Sequence, residues 1–563
     1  MSKPLPPDQQ QRIAALDISR SVLVQAPAGS GKTDLLTRRF LRLLAEVNDP
    51  SEIVAITFTN AAAAEMRHRI LSELEKAALT PPDDLSDSFS MSVLAARALA
   101  RSRALGWQLP DLASQLRITT IDAFCRELAI QQPILSGYGN RLDIAPQPAE
   151  LYRRAARATL QQIGSGSAEF NAALERLLLW RDNGWFDLEN LLVDMLAKRD
   201  RWMHELVLSH NPDWDALRAQ LERPFARAVV ACLTSLDAHL DQLPRARAEA
   251  MTLARFADTQ LEHPRFTALT ELPDFPNAPY DDLEASHAAF VCLADLVFTK
   301  DGAFRTRLDK NLGFPADRKT EKSRLVALID QLRSVEDLGT ALAAVRELPS
   351  PRYTDDDWQI VRACFILLRY AVAELKIVFA SAGTVDFTEI SQIALRILVD
   401  DDGTPSDAAL SIADGIRHLL VDEFQDTSRR QHRLLASIVA AWPDTTGRTL
   451  FVVGDPMQSI YFFRDADAEL FSRVRNAGLE IHGEPALPFR HVPLSANFRT
   501  AHALVHSLNR TFGDVFAAND GSGIEFSPAT PARELPGSPS AARTLHVDFV
   551  PQSASSADRD AAR

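Results

Sequence analysis

A short glycine-rich run near the start of the chain has the residue types that bind phosphate groups. Two glycines let backbone N–H groups come close to a phosphate, and the start of a following helix adds positive potential. A lysine would neutralise the β- and γ-phosphates, and the threonine after it would offer a hydroxyl to Mg²⁺. The run consists of Ala26, Pro27, Ala28, Gly29, Ser30, Gly31, Lys32 and Thr33. It has the strand–loop–helix setting of a Walker A loop, although Ala26 stands where the strict pattern has glycine.

A pair of acidic residues far along the chain would complete the chemistry of a phosphate site. Asp422 and Glu423 directly follow the apolar run 419–421. Asp422 is placed to hold Mg²⁺ through water, and Glu423 to orient and deprotonate an attacking water. The alternative for the acidic pair is a solvated turn. The alternative for the glycine-rich run is a glycine–serine turn with a surface lysine. Together, the two runs favour hydrolysis of a nucleoside triphosphate over binding alone.

Short apolar runs predict the strands that would bring these two groups together. Each run ends in polar residues and precedes a helix-like segment or a turn, which is typical of buried parallel strands in an α/β fold. Ligands in such sheets bind at the carboxyl ends of the strands. The five runs are 21–25, 53–57, 117–121, 419–421 and 450–453. Residues 140–380 are rich in Ala, Leu and Arg at helical spacing, so we expect a helical domain inserted into one sheet.

The composition is that of an ordinary globular protein, with 46% apolar and 24% charged residues. The net charge of −14 excludes a uniformly basic nucleic-acid coat. A local basic groove remains compatible with it, because salt screens charges beyond about 10 Å. The four dispersed cysteines form no CxxC pair, which argues against a disulfide framework or a cysteine zinc site. The start lacks the apolar run of a signal peptide, and charges interrupt the most apolar helical stretch, 360–380. We therefore expect a soluble, cytoplasmic protein without a membrane span.

Four further motifs follow in order along the chain. They are TFTNAAAAEMR at 57–67, DEFQDT at 422–427, VGDPMQSIY at 453–461 and NFR at 497–499. With the Walker A loop, they resemble the ordered motifs of UvrD/Rep-type superfamily 1 DNA helicases. The segment TIDAFC at 120–125 is closest to the RecB/AddA (exonuclease V beta subunit-like) branch, whose members act in double-strand-break repair. The resemblance covers motifs from residue 11 to residue 499, and it implies a P-loop, RecA-like parallel-sheet lobe that uses ATP and Mg²⁺.

The resemblance also assigns roles around the nucleotide. Gln11 matches the glutamine that reads adenine, and its amide offers the base both a donor and an acceptor. An ordinary surface glutamine in the run 9–11 is the alternative. Gln458 resembles the sensor that links the γ-phosphate to the strand-binding surface. Arg499 resembles the first arginine finger, because a planar guanidinium matches a phosphate. Phe498 takes the position where the family often has a tyrosine beside the base.

Residues beside two of these motifs are the candidates for DNA contact. In the family, aromatic residues here stack on single-strand bases and form the pockets through which the bases move. Such stacking contributes about 1–3 kcal/mol per base and tolerates any sequence. The candidates are Phe58, Tyr461, Phe463 and Arg464. Taken alone, the aromatic run 461–463 would more often be buried core, but its attachment to 458–460 favours DNA contact at Phe463.

The chain also departs from the family pattern. Asp34 and Ala61 stand where relatives commonly carry arginine and lysine, so the contacts of those side chains with nucleotide and phosphate are not expected. Asp122 replaces a histidine, and because a carboxylate would repel a DNA phosphate it is assigned no strand contact. After Arg499, no Gly-Leu-Glu-Phe or Thr-Arg-Ala-Lys-like segment follows, and the second of these would supply another arginine finger. We therefore expect a truncated second RecA-like lobe that begins near Leu494, and the N-terminal part of a longer helicase.

These observations predict five segments and one leading function. The segments are the first part of the ATP-binding lobe (1–139), the inserted helical domain (140–380), the second part of the lobe (381–485), the start of the truncated second lobe (486–550) and a disordered tail (551–563). The leading function is an ATP-dependent 3′–5′ DNA helicase or translocase of recombinational repair. Its expected partners are single-stranded DNA, 3′-tailed duplexes and a second helicase/nuclease subunit. The alternative is an ATP- and single-strand-binding module that does not unwind DNA. A coiled-coil P-loop ATPase is disfavoured, because the chain has neither long heptads nor a Ser-Gly-Gly signature.

Overall fold

The computed structural model of the chain describes residues 5–532 except 81, 83–86, 108, 110–112, 137–142, 204–211, 401, 444–446, 462–465, 482–483 and 517–523. The chain divides into two compact units. The first combines Met1–Pro148 with Ile377–Arg563, and the second is Ala149–Lys376. Within the described residues, no helix is both long enough and apolar enough to cross a membrane.

The first unit alternates short strands with helices, whereas the second is built from helices. The strands are β1 (Val22–Gln25), β2 (Ile53–Thr57), β3 (Arg117–Thr120), β4 (Asp143–Ile144), β5 (Thr384–Val385), β6 (His418–Val421), β7 (Thr449–Gly454), β8 (Leu479–Ile481), β9 (Glu484–Leu487), β10 (Arg490–Pro493), β11 (Ala496–Asn497) and β12 (Thr530–Pro531). The helices are α1 (Gln9–Ala15), α2 (Lys32–Leu44), α3 (Asn60–Leu79), α4 (Met91–Leu105), α5 (Ile121–Gln131), α6 (Pro133–Ser136), α7 (Ala149–Leu160), α8 (Ala168–Trp180), α9 (Trp185–Ala197), α10 (Arg199–Trp202), α11 (Trp214–Leu240), α12 (Ala246–Gln260), α13 (Thr267–Thr270), α14 (Leu283–Val297), α15 (Lys319–Ser334), α16 (Leu338–Ala344), α17 (Asp355–Ala382), α18 (Phe387–Leu398), α19 (Asp407–Asp414), α20 (Arg429–Ala440), α21 (Glu469–Ala477) and α22 (His502–Val515).

A six-stranded parallel sheet forms the centre of the first unit. Its strand order is β10-β1-β7-β6-β2-β3, and every neighbouring pair is parallel. All residues of β1, β2, β6 and β7 are buried, as expected for central strands that helices cover on both faces. The predicted α/β fold with a parallel central sheet is confirmed. Each of the five predicted apolar runs contributes one of its strands.

The sixth strand, β10, lies in the stretch that the sequence assigns to a second lobe. It pairs with β1 at the edge of the sheet, with Val24 opposite Val492. Only Val492 of its four residues is buried, so the strand leaves no apolar run that sequence analysis could detect. The predicted domain boundaries, including the insertion at 140–380 and the truncated second lobe, stay predictions. The predicted tail 551–563 lies outside the described residues.

The parallel topology brings four strand ends to one edge of the sheet. Neighbouring residues across the central strands include the pairs Gln25–Gly454, Val421–Val452 and Ile56–Val421. Because parallel strands run in one direction, the residues that follow β1, β2, β6 and β7 share this edge. The first residues after these strands are Ala26, Phe58, Asp422 and Asp455.

The second unit has a hydrophobic core of its own. Buried leucine, alanine and phenylalanine side chains on α11, α12 and α14 to α16 form one cluster between Val229 and Val345. Phe275 and Phe290 pack edge to face in it, with ring centroids 5.0 Å apart. All members of this cluster lie inside the second unit.

Candidate nucleotide-binding site

The loop between β1 and α2 has the backbone shape of a phosphate cradle. Gly29 and Gly31 have φ angles of 79° and 80°, in the left-handed region that favours glycine. A Cβ atom at Gly29 would lie 2.9 Å from Asn497 Oδ1 and would therefore clash. Ser30 is fully buried, and its Oγ has no hydrogen-bond partner among the described residues. The left-handed glycine backbone and the unpartnered Ser30 hydroxyl therefore suit a phosphate-binding loop, in which backbone N–H groups face the ligand.

Lys32, the first residue of α2, contacts the acidic pair at the end of β6. Its Nζ donates to Glu423 Oε2 at 2.8 Å, and the lysine side chain is only 14% exposed. The two predicted groups are therefore brought together directly, across the carboxyl ends of β1 and β6, which β7 separates in the sheet. Such a lysine can exchange its carboxylate partner for a phosphate, which has the same charge sign and more acceptor oxygens.

The backbone at Glu423 is strained. Its φ of 50° lies in the left-handed region, which costs a non-glycine residue about 1–3 kcal/mol. The residue before it, Asp422, donates its backbone N–H to Ile56 O, and its Oδ1 accepts the N–H of Glu423 at 3.0 Å. These bonds hold the turn after β6. Strain of this kind is found mainly where side-chain placement is functional.

The carboxylates at this edge outnumber the cations near them. Burial and then the charge of Glu423 raise the pKa of Asp422 to about 6, although Lys32 opposes the shift. The same two causes raise the pKa of Asp426 to about 6, and burial raises the pKa of Asp455. A divalent cation would relieve this excess of negative charge. No group of three or more metal-ligating side chains is preassembled within the described residues. Mg²⁺ usually takes one or two carboxylates plus phosphate oxygens and water.

A network that sequence analysis did not assign surrounds Glu423. Gln425 is buried, and its Nε2 donates to Glu423 Oε2 at 2.8 Å. Its Oε1 accepts the backbone N–H of Asp455 at 3.0 Å. The Asp455 carboxylate in turn accepts Gln458 Nε2 at 2.5 Å and the N–H of Met457 at 3.2 Å. The predicted sensor Gln458 is therefore connected to the predicted base Glu423 through two intermediate residues. The two intermediate residues lie inside the motifs DEFQDT (422–427) and VGDPMQSIY (453–461). Their place in these motifs is the sequence signal that could have identified them.

The segment after β10 contacts the loop through its backbone and one amide. Asn497 Nδ2 donates to Ala28 O at 3.1 Å, and the Phe498 N–H donates to Gly29 O at 2.9 Å. The Asn497 Oδ1 accepts the N–H of Arg499 at 3.0 Å. Arg499 is exposed and lies next to Gly29, where an added Cβ would come 3.1 Å from the Arg499 Cβ. The predicted arginine finger and the predicted phosphate loop are thus neighbours.

The first helix is tied to the same place by a buried ion pair. Asp8, which precedes α1, accepts Arg12 Nε at 2.7 Å and the backbone N–H groups of Ser495 and Ala496 at 3.0 and 2.9 Å. Arg12 Nη2 also donates to Ser30 O at 2.7 Å, and its guanidinium lies 5.1 Å from the centre of the Phe498 ring. Gln11 is exposed on the same helix. It lies beside Arg12 in the chain, and its role with adenine stays a prediction.

The structure describes two of the four residues that the sequence predicts to contact DNA. Phe58, after β2, packs against Tyr461, with ring centroids 4.5 Å apart. Each aromatic ring follows the carboxyl end of its strand, at the edge that carries Glu423. Phe463 and Arg464 lie outside the described residues.

Comparison with known proteins identifies the family. The sequence model of the UvrD/REP helicase N-terminal domain matches residues 7–242 and 309–477, which together are most of the chain. The chain belongs to this family. The strand-end geometry above therefore belongs to a UvrD/REP helicase N-terminal domain, and the matched residues extend through most of the helical second unit.

Curated relatives in several bacteria are similar to the chain over most of its length. A protein of Moorella thermoacetica, named as one subunit of an ATP-dependent helicase/nuclease, is 27% identical over 542 residues, which cover 91% of this chain and 35% of the relative. Proteins of the same name in Lysinibacillus sphaericus and Staphylococcus carnosus are 25% and 28% identical, over 92% and 88% of this chain and 40% and 38% of their own lengths. The chain thus spans well under half the length of these relatives. The predicted resemblance to the UvrD/Rep family and its RecB/AddA branch is confirmed.

Proposed function

We propose that this chain is the ATP-binding part of an ATP-dependent 3′–5′ DNA helicase or translocase of recombinational double-strand-break repair. The observation that carries the proposal is the 2.8 Å contact between Lys32 of the glycine-rich loop and Glu423 after β6. It joins a phosphate-binding cation to a candidate general base in a UvrD/REP family member. The names of the relatives, which combine helicase and nuclease, support a role on DNA ends and a partner subunit.

The proposed binding step uses the loop, Lys32 and the metal ligands. The β- and γ-phosphates would lie on the N–H groups of residues 28–33, and Lys32 would leave Glu423 to bind their oxygens. The Thr33 hydroxyl and the Asp422 carboxylate would hold Mg²⁺. When bound, Mg²⁺ neutralises charge that develops on the phosphates. Gln11 would read the adenine edge, with Phe498 near the base.

The proposed hydrolysis step uses three further side chains. Glu423 would orient a water molecule on the γ-phosphate and accept its proton. Arg499 would stabilise the charge of the transition state, and Gln458 would sense the γ-phosphate. Phe58, Tyr461, Phe463 and Arg464 would contact a single strand by stacking and by one phosphate contact. The alternative, an ATP- and strand-binding module, shares every step except unwinding, so unwinding of a 3′-tailed duplex separates the two.

The experiment compares Lys32→Ala and Glu423→Gln in ATP binding and in hydrolysis stimulated by a dT strand. Loss of the charge-assisted phosphate contacts should weaken ATP–Mg²⁺ binding about 10- to 100-fold in Lys32→Ala. Loss of the general base should leave ATP affinity the same or tighter in Glu423→Gln, and should slow hydrolysis about 10²- to 10⁴-fold. Lys76→Ala is the matched control, because Lys76 forms an exposed lysine–glutamate pair on α3. Unchanged ATP affinity in Lys32→Ala would overturn the assignment of the loop.

A further inference from the structure

Gln425 has a position that none of the assigned roles explains. It follows β6 by four residues, is only 1% exposed, and touches neither the glycine-rich loop nor the segment at 497–499 through any described bond of its side chain. Its side chain instead lies between the turn after β6 and the turn after β7. Both ends of the amide are hydrogen-bonded, so the amide cannot flip without losing the bonds at both ends.

The orientation of this amide is fixed by its two main partners. The Nε2 group faces the carboxylate of Glu423 at 2.8 Å, and the Oε1 atom faces the backbone N–H of Asp455 at 3.0 Å. A flipped amide would place an acceptor against the carboxylate and a donor against the N–H. Both contacts would then be repulsive. The Asp455 N–H therefore favours the orientation in which Gln425 donates to Glu423, and a second acceptor of Nε2, Asp426 Oδ2 at 3.2 Å, favours the same orientation.

Glu423 depends on this donor once nucleotide is bound. Its Oε2 accepts two described bonds, one from Lys32 and one from Gln425, each at 2.8 Å. Under the proposed function, Lys32 moves to the phosphates. The Gln425 amide is then the remaining described donor to that carboxylate, at the moment when the carboxylate must orient water. The left-handed backbone of Glu423 makes this restraint more important, because a strained residue relaxes when its partners are removed.

The other end of the amide leads to the candidate strand-binding aromatics. Asp455 starts the turn that holds Gln458, and the carboxylate of Asp455 accepts the Gln458 amide at 2.5 Å. Ser459 Oγ donates to the backbone carbonyl of Gln425 at 3.3 Å. Tyr461, two residues later, packs on Phe58. Movement of this turn on strand binding would shift the Asp455 N–H and, with it, the amide of Gln425.

A glycine beside the amide is independent support for its importance. Gly454 ends β7, and its φ is not in the left-handed region. Backbone conformation therefore does not explain glycine there. A Cβ atom at this position would lie 2.5 Å from Gln425 Oε1, and 3.1 Å from the Gln425 backbone nitrogen. The absence of a side chain at 454 thus leaves the space that the amide occupies.

We propose that Gln425 is a positioning residue. It holds Glu423 in place after Lys32 has moved to the nucleotide, and it couples Glu423 to the turn Asp455–Tyr461 that carries the candidate strand contacts. This inference rests on the proposed function, since it assigns Glu423 the role of base. Gln425 itself touches neither phosphate nor DNA in this proposal.

The experiment measures ATP affinity and single-turnover hydrolysis of ATP–Mg²⁺ by the full chain, with and without a dT strand. Gln425→Met keeps the length of the side chain and removes its three hydrogen bonds, to Glu423, Asp426 and Asp455. We expect its ATP affinity to stay within about threefold of wild type, and its rate with DNA to fall roughly 10- to 100-fold, the loss typical of a misplaced catalytic group. The ratio of the rates with and without DNA should fall towards one. A purely structural role would lower both rates equally and leave this ratio unchanged.

Two more variants keep the test sharp if Gln425→Met fails to fold. Gln425→Glu has the same size but places a carboxylate against Glu423, so we expect at least as large a loss of rate. Gly454→Ala should displace the amide of Gln425 and cause the same loss of DNA stimulation as Gln425→Met. In the double variant, Gly454→Ala should lower the rate little further than Gln425→Met does alone, because the effects of substitutions within one hydrogen-bond network are not additive. Gln162→Met is the matched control, since Gln162 donates a similar amide bond to Glu374 in the second unit at 2.6 Å.

The outcomes separate this inference from the function on which it rests. If Glu423→Gln hydrolyses ATP like wild type, the proposed function fails, and the role of Gln425 fails with it. If Glu423→Gln is inactive while Gln425→Met and Gln425→Glu keep both the wild-type rate and the DNA stimulation, the proposed function survives and the positioning role is wrong.

Discussion

His418 illustrates how burial can set the protonation state of a residue. It begins β6, is 5% exposed, and its Nδ1 lies 2.9 Å from Thr449 Oγ1 on the neighbouring strand. Burial lowers the pKa of His418 to about 3, and the charges of Arg39, Arg417 and Arg448 act in the same direction. The ring is therefore neutral in the folded protein, and the hydroxyl of Thr449 is a partner suited to that neutral form.

We predict that His418 makes folding sensitive to mild acid. The unfolded chain takes up a proton near pH 6.5, whereas the folded chain does so only near pH 3. The contribution of neutral His418 to the free energy of unfolding is therefore complete above pH 6.5, and it is lost as the pH falls towards 3. Between pH 7 and pH 5, this one residue should lower the free energy of unfolding by about 2 kcal/mol. Urea unfolding of wild type and His418→Asn at both pH values measures the difference, with exposed His68→Asn as control. Equal acid sensitivity in all three proteins would contradict it.

The residues of the site differ in how far the sequence could predict them. Lys32, Asp422 and Glu423 could be proposed because each stands in a local run whose chemistry is self-contained. Gln425 and Asp8 could not, because their partners, Asp455 and Ala496, are distant in the sequence and meet them only in the fold. Hydrogen bonds to backbone groups leave no residue-type signal at the partner position.

At the scale of elements, the site depends on how α1, α2 and β11 are held against each other. Asp8 is 2% exposed and joins α1 to β11, through Arg12 and through the N–H groups of residues 495 and 496. Burial raises the pKa of Asp8, but the bonds from Arg12 and from the Ala496 N–H outweigh it and keep the pKa below its ordinary value. Arg12 carries the link on to Ser30 of the glycine-rich loop.

Removal of this link should destabilise the first unit strongly. Asp8→Ala removes the carboxylate partner of Arg12, which then donates to Ser30 O, and the acceptor of two backbone N–H groups. Breaking one side of a largely buried ion pair costs up to about 3–5 kcal/mol. Glu65→Ala is the control, because Glu65 and Arg69 form the same kind of pair four residues apart on an exposed surface. Such exposed pairs contribute about 0.3–0.5 kcal/mol. The urea midpoints of the two variants should therefore differ clearly, and similar midpoints would show that the Asp8 link is not structural.

The strands were predictable to different degrees for a physical reason. β1, β2, β6 and β7 are covered on both faces, so each is a continuous apolar run. The edge strand β10 buries only Val492, so its pattern resembles that of a loop. The parallel pairing of β10 with β1 follows from the whole sheet, and local sequence does not encode it.

At the scale of the whole molecule, the part of the chain that the structure describes includes two hydrophobic cores that are separate from each other. The core of the first unit includes residues from Ala15 to Leu494, and that of the second lies between Val229 and Val345, with no residue in common. Lys32, Glu423 and Gln425 all belong to the first unit. Proteins with separate cores often unfold in more than one step, since each core can melt by itself.

We therefore predict that nucleotide stabilises one unfolding transition and leaves another unchanged. A ligand that binds only a folded unit stabilises that unit, by about 2.7 kcal/mol at 100 times its dissociation constant. In calorimetry, Mg²⁺ and a non-hydrolysable ATP analogue should raise the midpoint temperature of one transition by several degrees. Lys32→Ala should reduce this shift to about half or less, and Lys76→Ala should retain it. The unshifted transition should instead respond to Phe290→Ala, which removes a fully buried side chain from the second core. A single transition that moves as a whole with nucleotide would show that the two cores unfold as one.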